Sequence, residues 1–192
     1  MNLQFIRHGK TRGNLERRYI GRTDEPLCAQ GRMELVQRLT GGLYQPPQIL
    51  CSSPLQRCLE TCAILFPSQR PLAIAAFRET DFGIFEGKCY AELQHDRAYQ
   101  SWLDSGCTAQ MPQGEGKEQF QARCCAAFLE LLRQYDHAEQ ITLVVHGGVI
   151  MAILEQFAQP KQEFYSYRMG NGDAKVYQWD GQWPVRLYQK EG

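Results

Sequence analysis

Residues 141–148 read ITLVVHGG, a nearly all-β-branched run that ends at a histidine and two glycines. A continuous apolar run of this kind is typical of a strand that is buried on both faces of a parallel sheet. Residues 3–9 read LQFIRHG and repeat the arrangement, because a short apolar strand again leads directly to a histidine and a glycine. Parallel strands end at one edge of their sheet, so we expect His8 and His146 to meet there.

Strand-like and helix-like segments alternate along the rest of the chain. Strands are predicted at residues 48–51 and 72–76, and helices at residues 30–39, 90–103 and 120–135, with a last one through Phe157. Ser53 followed by Pro54 predicts the N-cap and first residue of a further helix after the second strand. The alternation predicts an α/β fold, a three-layer arrangement in which helices flank a mainly parallel sheet.

The chain of 192 residues is predicted to form one domain, 1–192, because a second domain would be too short to bury a core of its own. Near its end, residues 174–179 and 184–188 flank Asp180-Gly181, a pair typical of hairpin turns. We therefore expect a C-terminal hairpin at about 174–188. Pro184 cannot donate to a central ladder, which favours an edge position for this hairpin.

Composition argues against several classes of protein. The 21 basic and 21 acidic side chains balance, unlike the surface of a nucleic-acid binder. No apolar run approaches the roughly 20 residues of a membrane-spanning helix, and residues 1–6 are too short for a signal peptide. The eight cysteines include no Cys-x-x-Cys pair. We therefore expect a cytoplasmic protein with reduced thiols that binds neither nucleic acid nor membrane; its oligomeric state stays open.

Positive charge is concentrated at the start of the chain. Residues 1–22 contain five arginines and one lysine against Glu16 alone. Arginine suits forked contacts with phosphate or carboxylate, so this segment favours a small anionic ligand. A solvated arginine-rich loop would have the same composition, and the choice between them depends on the motifs nearby.

Three well-known motifs are incomplete or absent. Gly9-Lys10-Thr11 resembles the end of a phosphate-binding P-loop, but Gln4 stands where the first glycine is required. Neither Gly114-Glu115-Gly116 nor Gly170-Asn171-Gly172 completes a dinucleotide fingerprint. The sequence has no Gly-x-Ser-x-Gly stretch, so a serine hydrolase has no support.

The two strand-end histidines become more informative beside their arginines. A lone histidine at a strand end is usually a satisfied core or loop residue, but here two stand in matched settings. Arg7 precedes His8, and Arg57 lies in the first turn of the helix after the second strand. Guanidiniums beside a helix N-terminus favour an anion, although an exposed Arg57 with its stem on the sheet would also fit.

Two histidines and a carboxylate, with Glu79 as the third ligand, could instead bind a metal ion. The neighbouring guanidiniums count against this alternative, because they would repel a cation and complement a phosphoryl group. We therefore expect no metal and no cofactor.

Five segments, in order, carry a family pattern. They are residues 3–14 with Arg7-His8-Gly9, 19–27 with Asp24-Glu25-Pro26-Leu27, 51–57 with Ser52-Ser53-Pro54-Leu55, 77–87 with Glu79, and 144–148 with His146. They resemble the histidine phosphatase superfamily, the phosphoglycerate mutase-like group, over most of the chain. Three positions depart from the usual pattern: Lys10 stands for Glu or Gln, Cys28 for Ser or Thr, and Cys58 for Ala.

The resemblance implies a phosphoglycerate mutase-like fold and phosphoryl transfer through a phosphohistidine. It implies His8 as the nucleophile, Glu79 as proton donor and acceptor, Arg7, Arg57 and His146 as groups that hold the phosphoryl oxygens, and Asn14, Gly21 and Gly147 as further phosphate or substrate contacts. Surrounding cations would disfavour protonation of His8 and keep its ring nucleophilic. Considered alone, Glu79 would more simply be an exposed partner of Arg78.

The substrate is expected to be a small phosphate monoester. Mutases of the family carry a long insertion after the acid-bearing segment, so the short connection from Gly87 to Gly114 favours a hydrolase. Residues 112–120 resemble the corresponding stretch of α-ribazole phosphatases, which remove the 5′-phosphate of α-ribazole phosphate in cobalamin assembly. A phosphoglycerate mutase, a sugar-phosphate phosphatase and a catalytically weak phosphate-binding regulatory module stay open. Four aromatic residues either line a pocket for a heterocycle or belong to the core: Phe82, Phe85, Tyr90 and Trp102.

Overall fold

The computed structural model describes residues 1–190. Its strands, in chain order, are β1 (Asn2–Arg7), β2 (Ile49–Ser52), β3 (Leu72–Ala73), β4 (Gln140–Val145), β5 (Ala158–Gln159), β6 (Ala174–Trp179) and β7 (Leu187–Gln189). Its α-helices are α1 (Arg12–Leu15), α2 (Ala29–Arg38), α3 (Gln56–Leu65), α4 (Tyr90–Leu93), α5 (Arg97–Asp104), α6 (Lys117–Gln134) and α7 (Gly147–Phe157).

The strands form one sheet in the order β3-β2-β4-β1-β6-β7-β5. The four strands β3, β2, β4 and β1 are parallel to one another, and β6 continues the sheet antiparallel to β1. In the central pair, Arg7 lies opposite Val145. The predicted α/β fold with a mainly parallel sheet is confirmed, and the residues that follow β1 and β4 begin side by side.

Helices cover both faces of the sheet, because the central strands are apolar on both sides. Phe5 of β1 belongs to an apolar cluster with residues of α6 and α7. Its neighbour Ile6 faces the other way and belongs to a cluster with residues of α2 and α3. Full burial of one such side chain stabilises the fold by about 1.5–3 kcal/mol. The two clusters make the three layers.

A third, smaller apolar cluster lies between β3 and α6 along the chain. Its buried members are Phe85, Leu93, Tyr99, Trp102 and Met111. Tyr19 and Phe82 pack against it from its edge. This cluster supports one wall of the site described below. Across residues 1–190, none of the helices combines the length and the apolar composition that a bilayer span requires.

The single helix predicted at residues 90–103 is wrong, since α4 ends at Leu93 and α5 begins at Arg97. Asp96 separates them, and its carboxylate accepts hydrogen bonds from the amides of Ala98 (2.8 Å) and Tyr99 (3.1 Å). An aspartate N-cap of this kind starts a new helix. The strand predicted at residues 72–76 is also too long, because a tight 3-10 turn follows Ala73 within two residues.

The N-cap of α3 is not Ser53, contrary to the prediction. The helix begins at Gln56, whose amide donates to Oδ1 of Asp24 at 2.6 Å. Asp24 lies in a loop far away in the sequence, so local propensity could not reveal this cap. Ser53 instead belongs to the site described below, where its hydroxyl oxygen lies 2.8 Å from Nε2 of His146.

The C-terminal hairpin forms from β6 and β7, but two details of the prediction are wrong. Pro184 lies in the connection before β7, not in the strand. The hairpin is also not the sheet edge, because Gln159 of β5 pairs with Tyr188 on the outer side of β7. The single domain 1–192 stays a prediction, since residues 191–192 lie outside those described.

Candidate active site

The rings of His8 and His146 lie next to each other at the carboxyl ends of β1 and β4. Their centroids are 5.1 Å apart, and their planes are inclined by 68°. The backbone brings them together, because the amide of His8 donates to the carbonyl oxygen of Val145 at 3.0 Å. The structure therefore joins the two histidines that the sequence predicted at one sheet edge.

One ring nitrogen of His8 is fixed, and the other is left for chemistry. Nδ1 lies 2.7 Å from the carbonyl oxygen of Gly9, so this nitrogen carries the proton and donates it. Nε2 then keeps its lone pair, and no described residue forms a hydrogen bond to it. Burial, Arg57 and Arg7 together hold the pKa of His8 well below 6.5, which keeps the ring neutral.

His146 is enclosed by groups that orient its ring. Nε2 lies 2.8 Å from the hydroxyl oxygen of Ser53, and Nδ1 accepts from Nε of Arg57 at 3.3 Å. The sulfur of Cys58 lies 3.6 Å from Nε2. Burial, Arg57 and His8 hold the pKa of His146 well below its usual value. The His146 ring is therefore a neutral hydrogen-bonding group and does not add a positive charge to that of Arg57.

Arg57 is 1% exposed and links His146 to a neighbouring loop. Its guanidinium donates to the carbonyl oxygens of Gly21 (2.8 Å) and Thr23 (2.7 Å). The carbonyl oxygen of Gly21 therefore holds Arg57 in place, and the predicted role of Gly21 as a substrate contact stays a prediction. A Cβ at this position would overlap the carbonyl of Thr80, so the approach requires glycine.

A cavity of about 550 Å³ is lined by Arg7 and Gly147, the chain neighbours of the two histidines. The buried side chains of His8, Arg57 and His146 lie behind this wall and are not among the residues that line it. The cavity is lined by four residues that the sequence singled out: Arg7, Asn14, Glu79 and Gly147. Arg7 is held by donation from Nη1 to the carbonyl oxygen of Met169 at 2.7 Å. Gly147 is the first residue of α7 and lies against the Arg7 side chain. A guanidinium and a helix N-terminus at one wall both favour an anion.

The carboxylate of Glu79 is tied to the start of α7. Oε2 accepts from the amide of Gly148 at 2.9 Å, and Oε1 accepts from the amide of Thr80 at 2.9 Å. A side chain at position 148 would overlap this carboxylate, which explains the second glycine of the Gly147-Gly148 pair. Glu79 is half-buried at the cavity wall, so its alternative role as an exposed partner of Arg78 is not favoured.

Asn14 is oriented by Asn171, a residue that the sequence analysis missed. Oδ1 of Asn14 accepts from the amide of Thr11 (3.2 Å) and from Nδ2 of Asn171 (3.0 Å). The side-chain nitrogen Nδ2 of Asn14 is therefore available as a donor at the cavity. Asn171 also donates to the carbonyl oxygen of His8 at 3.1 Å. The Gly170-Asn171-Gly172 stretch thus serves the site through Asn171, whose partners His8 and Asn14 lie far away in the sequence.

The four aromatic residues separate into two pairs. Phe82 and Trp102 line the cavity. Phe85 is fully buried in the core, and Tyr90 is 59% exposed on the surface. The cavity wall also includes four further aromatic residues: Tyr19, Phe120, Phe164 and Tyr165. A flat apolar group therefore has several ring faces to contact.

The metal alternative gains no support from the geometry. Within residues 1–190, no group of three or more His, Cys, Asp or Glu side chains is arranged to hold a metal ion. Glu79 is bound to backbone amides instead of standing as a third ligand beside the histidines. Its neighbours at the cavity include the Arg7 guanidinium, which suits an anion.

Comparison with known proteins gives one family. The family described as the histidine phosphatase superfamily (branch 1) matches residues 3–190. The adenosylcobalamin/alpha-ribazole phosphatase of Escherichia coli (strain K12) is 29% identical over 180 residues, 90% of this chain and 87% of that protein. Phosphoglycerate mutase-like protein 4 of Arabidopsis thaliana is 31% identical over 159 residues, 79% of this chain and 68% of that protein. The crystal structure of the alpha-ribazole phosphatase from Shigella flexneri aligns with a TM-score of 0.85 at 26% identity, covering 99% of this chain and 95% of that one.

Proposed function

The chain belongs to the histidine phosphatase superfamily and is a phosphatase, and from this we propose that it hydrolyses a small phosphate monoester through a phosphohistidine on His8. The first candidate substrate is α-ribazole 5′-phosphate, an intermediate of cobalamin assembly. One observation carries the proposal. The neutral ring of His8 keeps Nε2 without a hydrogen-bond partner among the described residues, and its centroid lies 5.1 Å from that of His146. The neighbouring residue Arg7 lines a cavity together with Glu79.

In the first step, Nε2 of His8 attacks phosphorus, and the bond from phosphorus to the ester oxygen breaks as the N–P bond forms. Glu79, protonated at this stage, gives its proton to the leaving oxygen. Arg7, Arg57 and His146 hold the phosphoryl oxygens as charge spreads over them. His146 does so by turning its Nε2–H from the hydroxyl oxygen of Ser53 to a phosphoryl oxygen. Arg57 keeps N–H groups for this purpose beyond those already donated to His146 and to two carbonyl oxygens.

In the second step, water attacks the phosphohistidine, and Glu79, now ionised, takes the proton from that water. The N–P bond breaks, and its electron pair returns to Nε2 of His8. Inorganic phosphate leaves, and both residues are restored. Asn14 and the Gly147 amide supply neutral donors to the phosphoryl group, because both lie at the cavity wall.

The choice of α-ribazole 5′-phosphate rests on the wall of the cavity and on the relatives. The benzimidazole ring of α-ribazole would stack on Phe82 and Trp102 while the phosphate binds beside Arg7. Lys117 and Phe120 belong to the stretch that resembles α-ribazole phosphatases, and both line the same cavity. The E. coli and Shigella relatives carry this activity in their names.

We further propose that the protein acts in the cytoplasm and takes a small molecule, not nucleic acid, as its partner. All eight cysteines, which lie within the described residues, are free. Burial raises the pKa of Cys51 and of Cys62 to about 12, so these thiols stay protonated and unreactive. Such a set of unpaired thiols suits a reducing compartment.

A panel of phosphate monoesters tests the function. It contains α-ribazole 5′-phosphate, sugar phosphates, p-nitrophenyl phosphate, and 3-phosphoglycerate with and without 2,3-bisphosphoglycerate; His8→Ala serves as the blank. We expect release of inorganic phosphate, with the highest kcat/KM for α-ribazole 5′-phosphate. A higher value for a sugar phosphate would reassign the substrate, and dependence on the bisphosphate would identify a mutase. Binding without turnover would identify a phosphate-binding module.

A further inference from the structure

The guanidinium of Arg123, on α6, forms hydrogen bonds with the backbone of the segment that carries Glu79. It donates to the backbone carbonyl oxygens of Ala76 (2.6 Å), Arg78 (2.8 Å) and Glu79 (3.0 Å). These acceptors lie in one short stretch of chain. Because a guanidinium has its donors in a rigid fork, it sets the path of the backbone that delivers Glu79 to the cavity.

Glu115 holds the same guanidinium and the far end of the segment. Its carboxylate accepts from Nε and Nη2 of Arg123 at 2.6 and 2.7 Å, a forked ion pair. Oε2 also accepts from the amide of Asp81 at 3.0 Å, and the amide of Glu115 donates to the carbonyl oxygen of Asp81 at 2.9 Å. The backbone on both sides of Glu79 is thereby fixed.

The pair is mostly removed from water and does not touch the substrate cavity. The side chains of Arg123 and Glu115 are 21% and 16% exposed, so their desolvation costs free energy. Burial alone would raise the pKa of Glu115, but hydrogen bonds from Arg123 and from the Asp81 amide outweigh it and lower that pKa. Neither side chain is among those that line the described cavity. Substrate contact therefore does not explain the pair.

We propose that Glu115 and Arg123 are a positioning pair for Glu79 in proton transfer to the leaving group. They fix the backbone of residues 76–81, while the amide of Gly148 fixes the carboxylate. This inference rests on the proposed function, in which Glu79 protonates the leaving oxygen. Loss of the pair lowers kcat/KM for each substrate in proportion to the need of its leaving group for a general acid.

The test compares p-nitrophenyl phosphate with phenyl phosphate, two esters of similar shape whose leaving groups differ in basicity. The variants Arg123→Gln and Glu115→Gln are assayed for kcat/KM on both, because this constant reports the step in which the leaving group departs. We expect a loss of about 30-fold for phenyl phosphate and of about threefold for p-nitrophenyl phosphate. The ratio of kcat/KM for p-nitrophenyl phosphate to kcat/KM for phenyl phosphate then rises about tenfold.

A double-variant cycle separates positioning from a merely structural role. In a Glu79→Gln background, Arg123→Gln should leave the ratio unchanged, since the proton donor is already missing. Leu132→Ala, which opens a cavity at a buried residue of the same helix, is the control for lost stability and should also leave the ratio unchanged. If Arg123→Gln does not fold, Arg123→Lys is measured in its place, beside the near-isosteric Glu115→Gln.

An unchanged ratio in folded Arg123 and Glu115 variants would overturn the positioning role, and so would a further rise in the Glu79→Gln background. These results are distinct from failure of the function itself. A wild-type protein that hydrolyses neither ester would overturn both proposals, whereas an active wild type with unaffected variants would overturn the positioning pair alone.

Discussion

The ring of His8 stands 5.1 Å from the ring of His146, at the ends of two neighbouring parallel strands. The pairing of Arg7 with Val145 sets this distance through the backbone ladder, so the two rings are placed by the sheet itself. Both rings are buried beside Arg57 and stay neutral, because burial and positive charge disfavour an imidazolium. In the proposed reaction, the nucleophile is thus prepared before a substrate arrives.

Replacement of His8 by Ala is expected to lower kcat/KM by at least about 10³-fold, since the atom that forms the intermediate is removed. Wild-type protein quenched during turnover of radiolabelled substrate should carry phosphate that is labile in acid and stable in alkali. Peptide mapping should place the label on His8. Label on a serine or a cysteine would contradict the mechanism.

Removal of metal ions is expected to leave turnover unchanged, because the guanidiniums supply the positive charge that a metal would otherwise provide. The measurement is the hydrolysis rate of p-nitrophenyl phosphate before and after dialysis against EDTA. Lost activity that zinc restores would instead support the arrangement of His8, His146 and Glu79 around a cation.

Acid is expected to destabilise the fold through the buried histidines. Their folded-state pKa values lie well below the unfolded value of 6.5, so the unfolded chain binds more protons as the pH falls through 6.5. Each ring lowers the free energy of unfolding by roughly 1.4 kcal/mol per pH unit below that point, and has no such effect above it. Urea unfolding between pH 5 and 8 measures the slope. The double variant His8→Gln/His146→Gln should be flatter than wild type, and equal slopes would contradict the prediction.

The cap that Asp24 provides to α3 should contribute to stability. Its carboxylate accepts from the amide of Gln56 at 2.6 Å, so Asp24→Ala is expected to lower the free energy of unfolding by about 1 kcal/mol. Asp24→Asn keeps an acceptor oxygen and should retain most of that stability. Chemical denaturation compares the two. Equal losses in both variants would show that charge, and not the hydrogen bond, carries the effect.

The sheet and its histidines were predictable because they depend on local patterns. Apolar runs that end in His-Gly identify β1 and β4, and the parallel geometry of the sheet then brings His8 and His146 together. The Ser-Ser-Pro-Leu stretch likewise located Arg57 near the end of β2. Each of these inferences uses residues within one short segment and one general rule of sheet geometry.

The supports of the site were not predictable, because each depends on a contact between segments far apart in the chain. Asn171 reaches Asn14 across 157 positions, and Arg123 reaches Glu79 across 44. Asp24 caps a helix whose first residue lies 32 positions away, so the N-cap predicted locally at Ser53 was wrong. A single sequence gives no sign of such pairs, since asparagine, aspartate and arginine are equally at home on a solvated surface.

The wall of the cavity gives a prediction that separates residues which look alike in the sequence. Phe82 lines the cavity, whereas Tyr90 is 59% exposed on the surface. Phe82→Leu is expected to raise KM for α-ribazole 5′-phosphate about fivefold by loss of ring stacking, and to leave KM for glycerol 2-phosphate unchanged. Tyr90→Leu is the matched control and should change neither constant. An equal rise for both substrates in Phe82→Leu would mean that the ring supports the site instead of contacting the heterocycle, and a rise in Tyr90→Leu would place the heterocycle on a different surface.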